Sequence, residues 1–148
     1  MEKIICVIPA RSGSKGLKNK NLKELKNLPL IAHTIIQAKK SKFISKVYVS
    51  TDSNKIANVS KQYGAIVPFL RPKKLAKDNS KVMDAYFYLI EKIKKEIIIK
   101  NFIALLPTSP LRKTSDIDKA IKLYFKKKAK SLISCTENPK PLEWLLKK

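Results

Sequence analysis

Apolar residues in this chain come in two arrangements that take turns, short unbroken runs and sets spaced at helical intervals. Residues 4–8, IICVI, form a β-branched run closed by Pro9, as expected of a strand buried on both faces. A loop rich in Gly, Ser, Lys and Asn follows. From Pro29, Ile31, Ile35 and Ala38 recur at helical spacing, and proline is well tolerated in a first helical turn. KVYVS, residues 46–50, predicts a second strand. Ile56, Val59 and Tyr63 predict a helix over 54–63 that stops at Gly64. AIVPFL predicts a third, shorter strand, placed near a sheet edge because Pro68 interrupts it. Val82, Tyr86, Leu89 and Ile93 mark a further helix, and NFIALL a fourth strand halted by Pro107. Ile117, Ala120, Ile121, Tyr124 and Phe125 mark the next helix, and SLISC a fifth strand. Strict alternation of this kind predicts a doubly wound α/β domain with a mostly parallel sheet covered on both faces.

A chain of 148 residues has room for one such domain with a substantial core, so residues 1–148 are read as a single unit. No apolar run is long enough to span a bilayer, and MEKIICVIPA is too short and too soon interrupted for a signal peptide, so a cytoplasmic location is expected. Cys6 and Cys135 lie in strand-like apolar segments with no neighbouring His or Cys, which suits buried, reduced thiols. The single histidine argues against a His-based zinc centre. The formal charge of +22 would ordinarily suggest a nucleic-acid partner. The lysines are spread along the whole sequence, however, with neither an arginine-rich arm nor an aromatic stacking set. An anionic small substrate fits better than dedicated nucleic-acid or membrane binding.

Arginine is used at only three positions, Arg11, Arg71 and Arg112, against thirty lysines. Each sits in a short Pro-containing segment, IPAR, LRP or PLR, where a rigid turn can aim a planar fork of donors at a phosphate, carboxylate or base edge. In RSGSKG, Gly13 and Gly16 permit backbone conformations in which successive N–H groups converge on an anion. Lys15 sets a compact charge beside them, and Arg11 can grip two phosphate oxygens. The spacing matches neither the P-loop nor the dinucleotide fingerprint. The loops after strands 1, 2 and 4 all emerge at the carboxyl edge of the sheet, where open α/β sheets bind ligands.

IPARSGSKGLKNKN, VSTD, LRPKKLAKD and LLPTSPLR, in this order and at these separations, closely resemble the acylneuraminate cytidylyltransferases, or CMP-sialic acid synthetases. The resemblance covers essentially the whole chain and implies a Rossmann-like nucleotidyltransferase domain. It implies transfer of CMP from CTP to the anomeric hydroxyl of an acidic nine-carbon sugar, with release of pyrophosphate and with Mg²⁺ as cofactor. Carried over residue by residue, it assigns CTP binding to Arg11, Gly13, Ser14, Lys15, Gly16, Asn21, Arg71 and Ser80. Arg11 and Lys15 would be catalytic, stabilising charge that develops on the departing pyrophosphate. Arg71 would read the O2 and N3 acceptors of cytosine. Leu106, Thr108, Ser109 and Arg112 would face the acceptor sugar.

Leu106 departs from the family, which has Gln before the PTSPLR proline, so the identity of the sugar is open while CTP binding is not. Family members also continue, beyond the point where this sequence ends, into a homodimerisation segment, further sugar-binding basic residues and acidic metal ligands. The sheet edge and the apolar tail around Trp144 and Leu145 are accordingly expected to be partly uncovered. Metal ligands are not identifiable here. Asp116 and Asp118 fall in the first turn of a helix behind the cap candidate Ser115, where acids favour the helix dipole without any metal. Asp52 either serves a site or caps the following helix. Arg112 either meets the acceptor carboxylate or ties down its own loop, and His33 reads as a packed or surface imidazole. Two alternatives to the enzyme remain, a non-catalytic truncated or split CTP-binding module and a charge-driven polyanion binder.

Overall fold

The computed structural model describes residues 3–13, 16–77 and 79–135. Ser14, Lys15, Trp144 and Leu145, singled out above, lie outside the described residues. Strand β1 (Ile4–Pro9) is central in a three-stranded parallel sheet, with β4 (Ile44–Ser50) on one side and β5 (Phe102–Ala104) on the other. Its pairing with β4 runs to Pro9 opposite Ser50, and its pairing with β5 joins Cys6 to Ile103. Every residue of β1 except Pro9 is buried, as a continuous apolar run requires when helices cover both faces.

Alternation along β1 divides the core in two. Ile4, Cys6 and Ile8 pack with α1 (Leu30–Lys40), α2 (Asn54–Gln62) and α4 (Thr114–Lys126) through Ile31, Ile35, Ile56, Ile117 and Ile121. Ile5 and Val7 face the other way, onto Tyr86, Leu89 and Ile93 of α3 (Val82–Ile93). The sheet is thus doubly wound, and the helices bury most of the spaced residues that announced them, although Val82 at the start of α3 is exposed and Val59, Tyr63, Tyr124 and Phe125 are half-buried. Gly64 ends α2 at φ 83°, a conformation that glycine adopts without strain.

Three segments differ from expectation. AIVPFL contributes only an isolated parallel bridge, Ile66 to Tyr48, held by Ile66 N–H to Val47 O at 2.8 Å and Val49 N–H to Ile66 O at 2.9 Å. Pro68 follows two residues later and, lacking an N–H, cannot extend the ladder. SLISC is not a strand; residues 131–135 are unpaired and exposed. Apolarity alone does not make a strand, which exists only where a neighbouring backbone takes its hydrogen bonds, and this segment docks on no edge. Cys135 is therefore exposed rather than buried, whereas Cys6 is fully enclosed. Burial pushes the Cys6 thiol far above its usual range, so a soluble disulfide reagent is expected to modify Cys135 rapidly and Cys6 only after denaturation. Rapid loss of both thiols in the folded protein would refute this packing.

The stretch read as irregular after the first loop contains a small hairpin, β2 (Glu24–Leu25) and β3 (Leu28–Pro29). Lys26 and Asn27 join them at φ 48° and 63°, the two positive values of a type I′ turn. His33 on α1 holds this hairpin by donating from Nε2 to Leu25 O at 2.8 Å, the packing role expected of it.

Candidate functional site

The chain leaves β1 toward β4, returns through α3 and enters β5 on the opposite side of β1. Strand order reverses between β1 and β5, and a ligand cleft is expected beyond the carboxyl ends of these two strands. A cleft of about 470 Å³ opens there, lined by Pro9 at the end of β1, by Leu106, Pro107 and Thr108 after β5, and by residues from the intervening loops and the start of α3.

The first wall follows β1. The ladder continues one step beyond the strand through Ala10 N–H to Ser50 O at 2.9 Å. Asp52 then grips the loop, accepting from Ser12 N–H at 2.8 Å and from Ser12 Oγ at 2.6 Å. The cap of α2 is the next residue, Ser53, whose Oγ accepts from Ile56 N–H. Asn21, buried in a short 3₁₀ turn over Lys20–Leu22, donates from Nδ2 to Arg11 O at 3.0 Å. Asp52 and Asn21 thus fix the backbone on which Arg11 is mounted, and Arg11 donates from Nη1 to Ala76 O at 3.4 Å across the cleft.

The second wall carries Arg71. Its backbone N–H donates to Thr51 O at 2.7 Å, which ties the segment after the edge bridge to the end of β4. The side chain is only 5% exposed, yet Nε and Nη2 have no hydrogen-bond partner among the described residues. Burial lowers the pKa of this guanidinium from its ordinary value; the negative charge of Asp52 opposes that shift and Arg11 adds to it. A cation so enclosed, with donors left over, is unfavourable unless something else accepts from them. Ser80 stands on the same wall, its Oγ donating to Lys74 O at 2.9 Å and so closing the turn that leads into α3.

Of the residues named from sequence, the cleft brings together Arg11, Gly16, Asn21, Arg71, Ser80, Leu106 and Thr108. Gly13, Ser109 and Arg112 do not line it. Arg112 reaches back to its own loop, Nη2 donating to Leu106 O at 3.5 Å, while burial lowers its pKa against the opposing influence of Cys6 and Asp116. The structure adds Lys20, Lys77 and Lys81 to the lining. Lys20 and Lys77 lie within two of the four motifs, but among thirty lysines nothing marked them or Lys81 as site residues.

Among the described residues no three His, Cys, Asp or Glu side chains gather, but Mg²⁺ beside a nucleotide needs only one or two carboxylates, and Asp84 is exposed in the first turn of α3, two residues beyond the cleft-lining Val82. Both oxygens of Asp52 are engaged by Ser12. Asp116 accepts from the N–H of Lys113 at the start of α4, and Asp118 accepts from Ser41 Oγ. The capping position of that helix belongs to Lys113, two residues before the Ser115 suggested by sequence.

An open, doubly wound parallel sheet with a cationic cleft at its switch point defines a Rossmann-like domain. The chain belongs to the cytidylyltransferase family, which it matches over residues 5–143. It is 44% identical over 133 residues to the CMP-N,N'-diacetyllegionaminic acid synthase of Legionella pneumophila, covering 89% of this chain and 57% of that protein. To the N-acylneuraminate cytidylyltransferase of Escherichia coli it is 40% identical over 140 residues, 94% of this chain and 32% of that one. The chain thus spans from about a third to just over half of these relatives' lengths. A solved structure of CMP:2-keto-3-deoxy-manno-octonic acid synthetase complexed with CTP shares the fold, with a TM-score of 0.73 at 22% identity, over 86% of this chain and 49% of that one.

Proposed function

We propose that this chain binds CTP in the switch-point cleft and serves the transfer of CMP to the anomeric hydroxyl of a sialic or related nonulosonic acid, with release of pyrophosphate. The observation that carries the reading is Arg71, a buried guanidinium at the cleft whose Nε and Nη2 lack acceptors among the described residues. Cytosine offers adjacent O2 and N3 acceptors to such a fork, whereas uracil presents a hydrogen at N3 and would leave a donor facing a donor. With the base on Arg71, the triphosphate falls toward Arg11 and the Gly16 loop. In the transfer, the sugar oxygen forms a bond to the α-phosphorus and loses its proton, while the bond from that phosphorus to the bridging oxygen breaks. Negative charge grows on the departing pyrophosphate, and cations already fixed in place lower the barrier without reorganising. The chain's own part in this reading is carried by its cations and by Asn21 and Asp52, which hold the loop.

Thermal unfolding with each nucleotide tests the reading. CTP at a hundredfold excess over its Kd should raise the melting temperature by roughly 5–10 °C, and UTP distinctly less. Equal protection by CTP and UTP would remove Arg71 from the base site. Pyrophosphate release on adding CTP, Mg²⁺ and a nonulosonic acid would mark an enzyme, and CTP protection without release a binding module.

A further inference from the structure

We propose that the amino edge of the sheet, opposite the cleft, docks on an anionic lipid surface, with Ile98 inserted among the headgroups and the surrounding lysines held against their phosphates. No helix among the described residues is long and apolar enough to cross a membrane, so the contact is peripheral. Because β1, β4 and β5 are parallel, the segments that lead into them meet at one end of the sheet. The cleft lies beyond the other end and stays open to solvent when this edge is covered. The docking is independent of the CTP reading.

KKEIIIKN, residues 94–101, joins α3 to β5. Ile97 and Ile99 pack, half-buried, on the cluster of Ile5, Leu89 and Ile93, and Ile98 between them is 91% exposed. Single exposed aliphatic residues are ordinary on a protein surface, but this one stands beside a shallow groove of about 150 Å³ floored by Ile5 and rimmed by Lys3, Lys46 and Lys100. All three lysines are exposed, as is Lys95 in the same loop. Helix α4 ends at this edge too, since Tyr124 Oη donates to Asn101 Oδ1 at 2.7 Å and Asn101 lines the groove. Exposed Lys126, Lys127 and Lys128 follow directly. Lys94 is paired with Glu91. Glu96 lies toward Tyr48, whose pKa is raised by burial first and by this carboxylate second. Glu2, beside Lys3 in sequence, is outside the described residues, and even with it counted the lysines outnumber the acids.

The lining selects among anionic partners. Protein interfaces are built on aromatic residues, methionine and arginine and are depleted of lysine, and nucleic acids are held by arginine and stacked rings. None of those groups lines this groove among the described residues. Lysines around a protruding aliphatic side chain are the pair of signals that a lipid surface requires, because charge or insertion alone holds a protein there only marginally.

Co-sedimentation with vesicles tests the docking. The unaltered chain should sediment with phosphatidylcholine vesicles containing about one-third phosphatidylserine, and not with phosphatidylcholine alone. Ile98→Ser should weaken that binding about fivefold, since the inserted side chain is lost. Lys3→Gln/Lys46→Gln/Lys100→Gln should weaken it at least tenfold, each lysine near the surface contributing a factor of about five. All four side chains are exposed, so melting temperatures should stay unchanged. Removing the same charge at the other end of the sheet, in Lys55→Gln/Lys73→Gln/Lys74→Gln, should weaken binding less than about threefold. Equal losses in the two triple variants would mean attraction by diffuse charge and overturn the proposal. Full binding by Ile98→Ser would do the same, as would failure of the unaltered chain to sediment. A single-stranded oligonucleotide bound with equal sensitivity to Ile98→Ser would assign this edge to nucleic acid instead and overturn it as well.

Discussion

Arg71→Met is expected to raise the melting temperature of the ligand-free protein while lowering its affinity for CTP at least about fivefold. The two effects have one cause. Nε and Nη2 of Arg71 lie buried without acceptors among the described residues, and burial lowers its pKa despite the opposing charge of Asp52. A buried donor left unsatisfied costs about 1–3 kcal/mol, and an apolar side chain of similar length removes that cost. A gain of this size corresponds to a few degrees in a domain of this length. Loss of a bidentate base contact costs about 1–3 kcal/mol, or roughly 5- to 150-fold in affinity. Arg71→Lys separates charge from geometry, because lysine keeps the cation and loses the fork. Its CTP:UTP preference should collapse toward unity. Differential scanning calorimetry with nucleotide titrations reads both quantities. A lower melting temperature for Arg71→Met with unchanged CTP affinity would mean that the guanidinium is structural.

Asp52→Ala is expected to be the most damaging single change outside the hydrophobic core. It removes both acceptors of Ser12, and a hydrogen bond to a charged group contributes about 1.5–3 kcal/mol. It also removes the negative charge that eases the burial of Arg71. Partial exposure of Asp52 holds the expected loss in urea denaturation to about 2–3 kcal/mol. CTP affinity should fall about tenfold through a different route, since the loop carrying Arg11 loses the carboxylate that holds Ser12 and keeps the contact from Asn21. Asp52→Asn should recover part of the stability, because one amide oxygen still accepts from Ser12, and less of the affinity. An affinity unchanged in Asp52→Ala despite lost stability would show that the loop is positioned by other contacts.

The layered architecture was legible because each element carries its own signature. IICVI is β-branched on both faces and became the central strand, and Ile31, Ile35 and Ala38 became the buried face of α1. SLISC shows the limit of such reading. Its composition is that of a strand, but a strand needs a partner's backbone, and partner choice is a long-range property. The β2/β3 hairpin was missed for the opposite reason, since its two-residue strands are too short for any periodicity and Lys26-Asn27 is the only local sign of the turn.

For the site, the order and spacing of four motifs pointed to the cytidylyltransferase family, and seven of the residues named from sequence line one cleft although Arg11 and Thr108 are far apart in the chain. By itself the sequence determined the alternation of strands and helices, the loops that emerge at one sheet edge, and the residue types able to meet a triphosphate. Only the tertiary structure decided that Arg71 is enclosed with donors to spare, that Asp52 clamps Ser12, and that Lys20, Lys77 and Lys81 share the cleft with the arginines. Local patterning fixes what each segment can become, because propensity and periodicity act over a few residues. Burial, pairing and the grouping of charge depend on which distant segments arrive at the same place, and that follows from how the whole sheet and its helices pack.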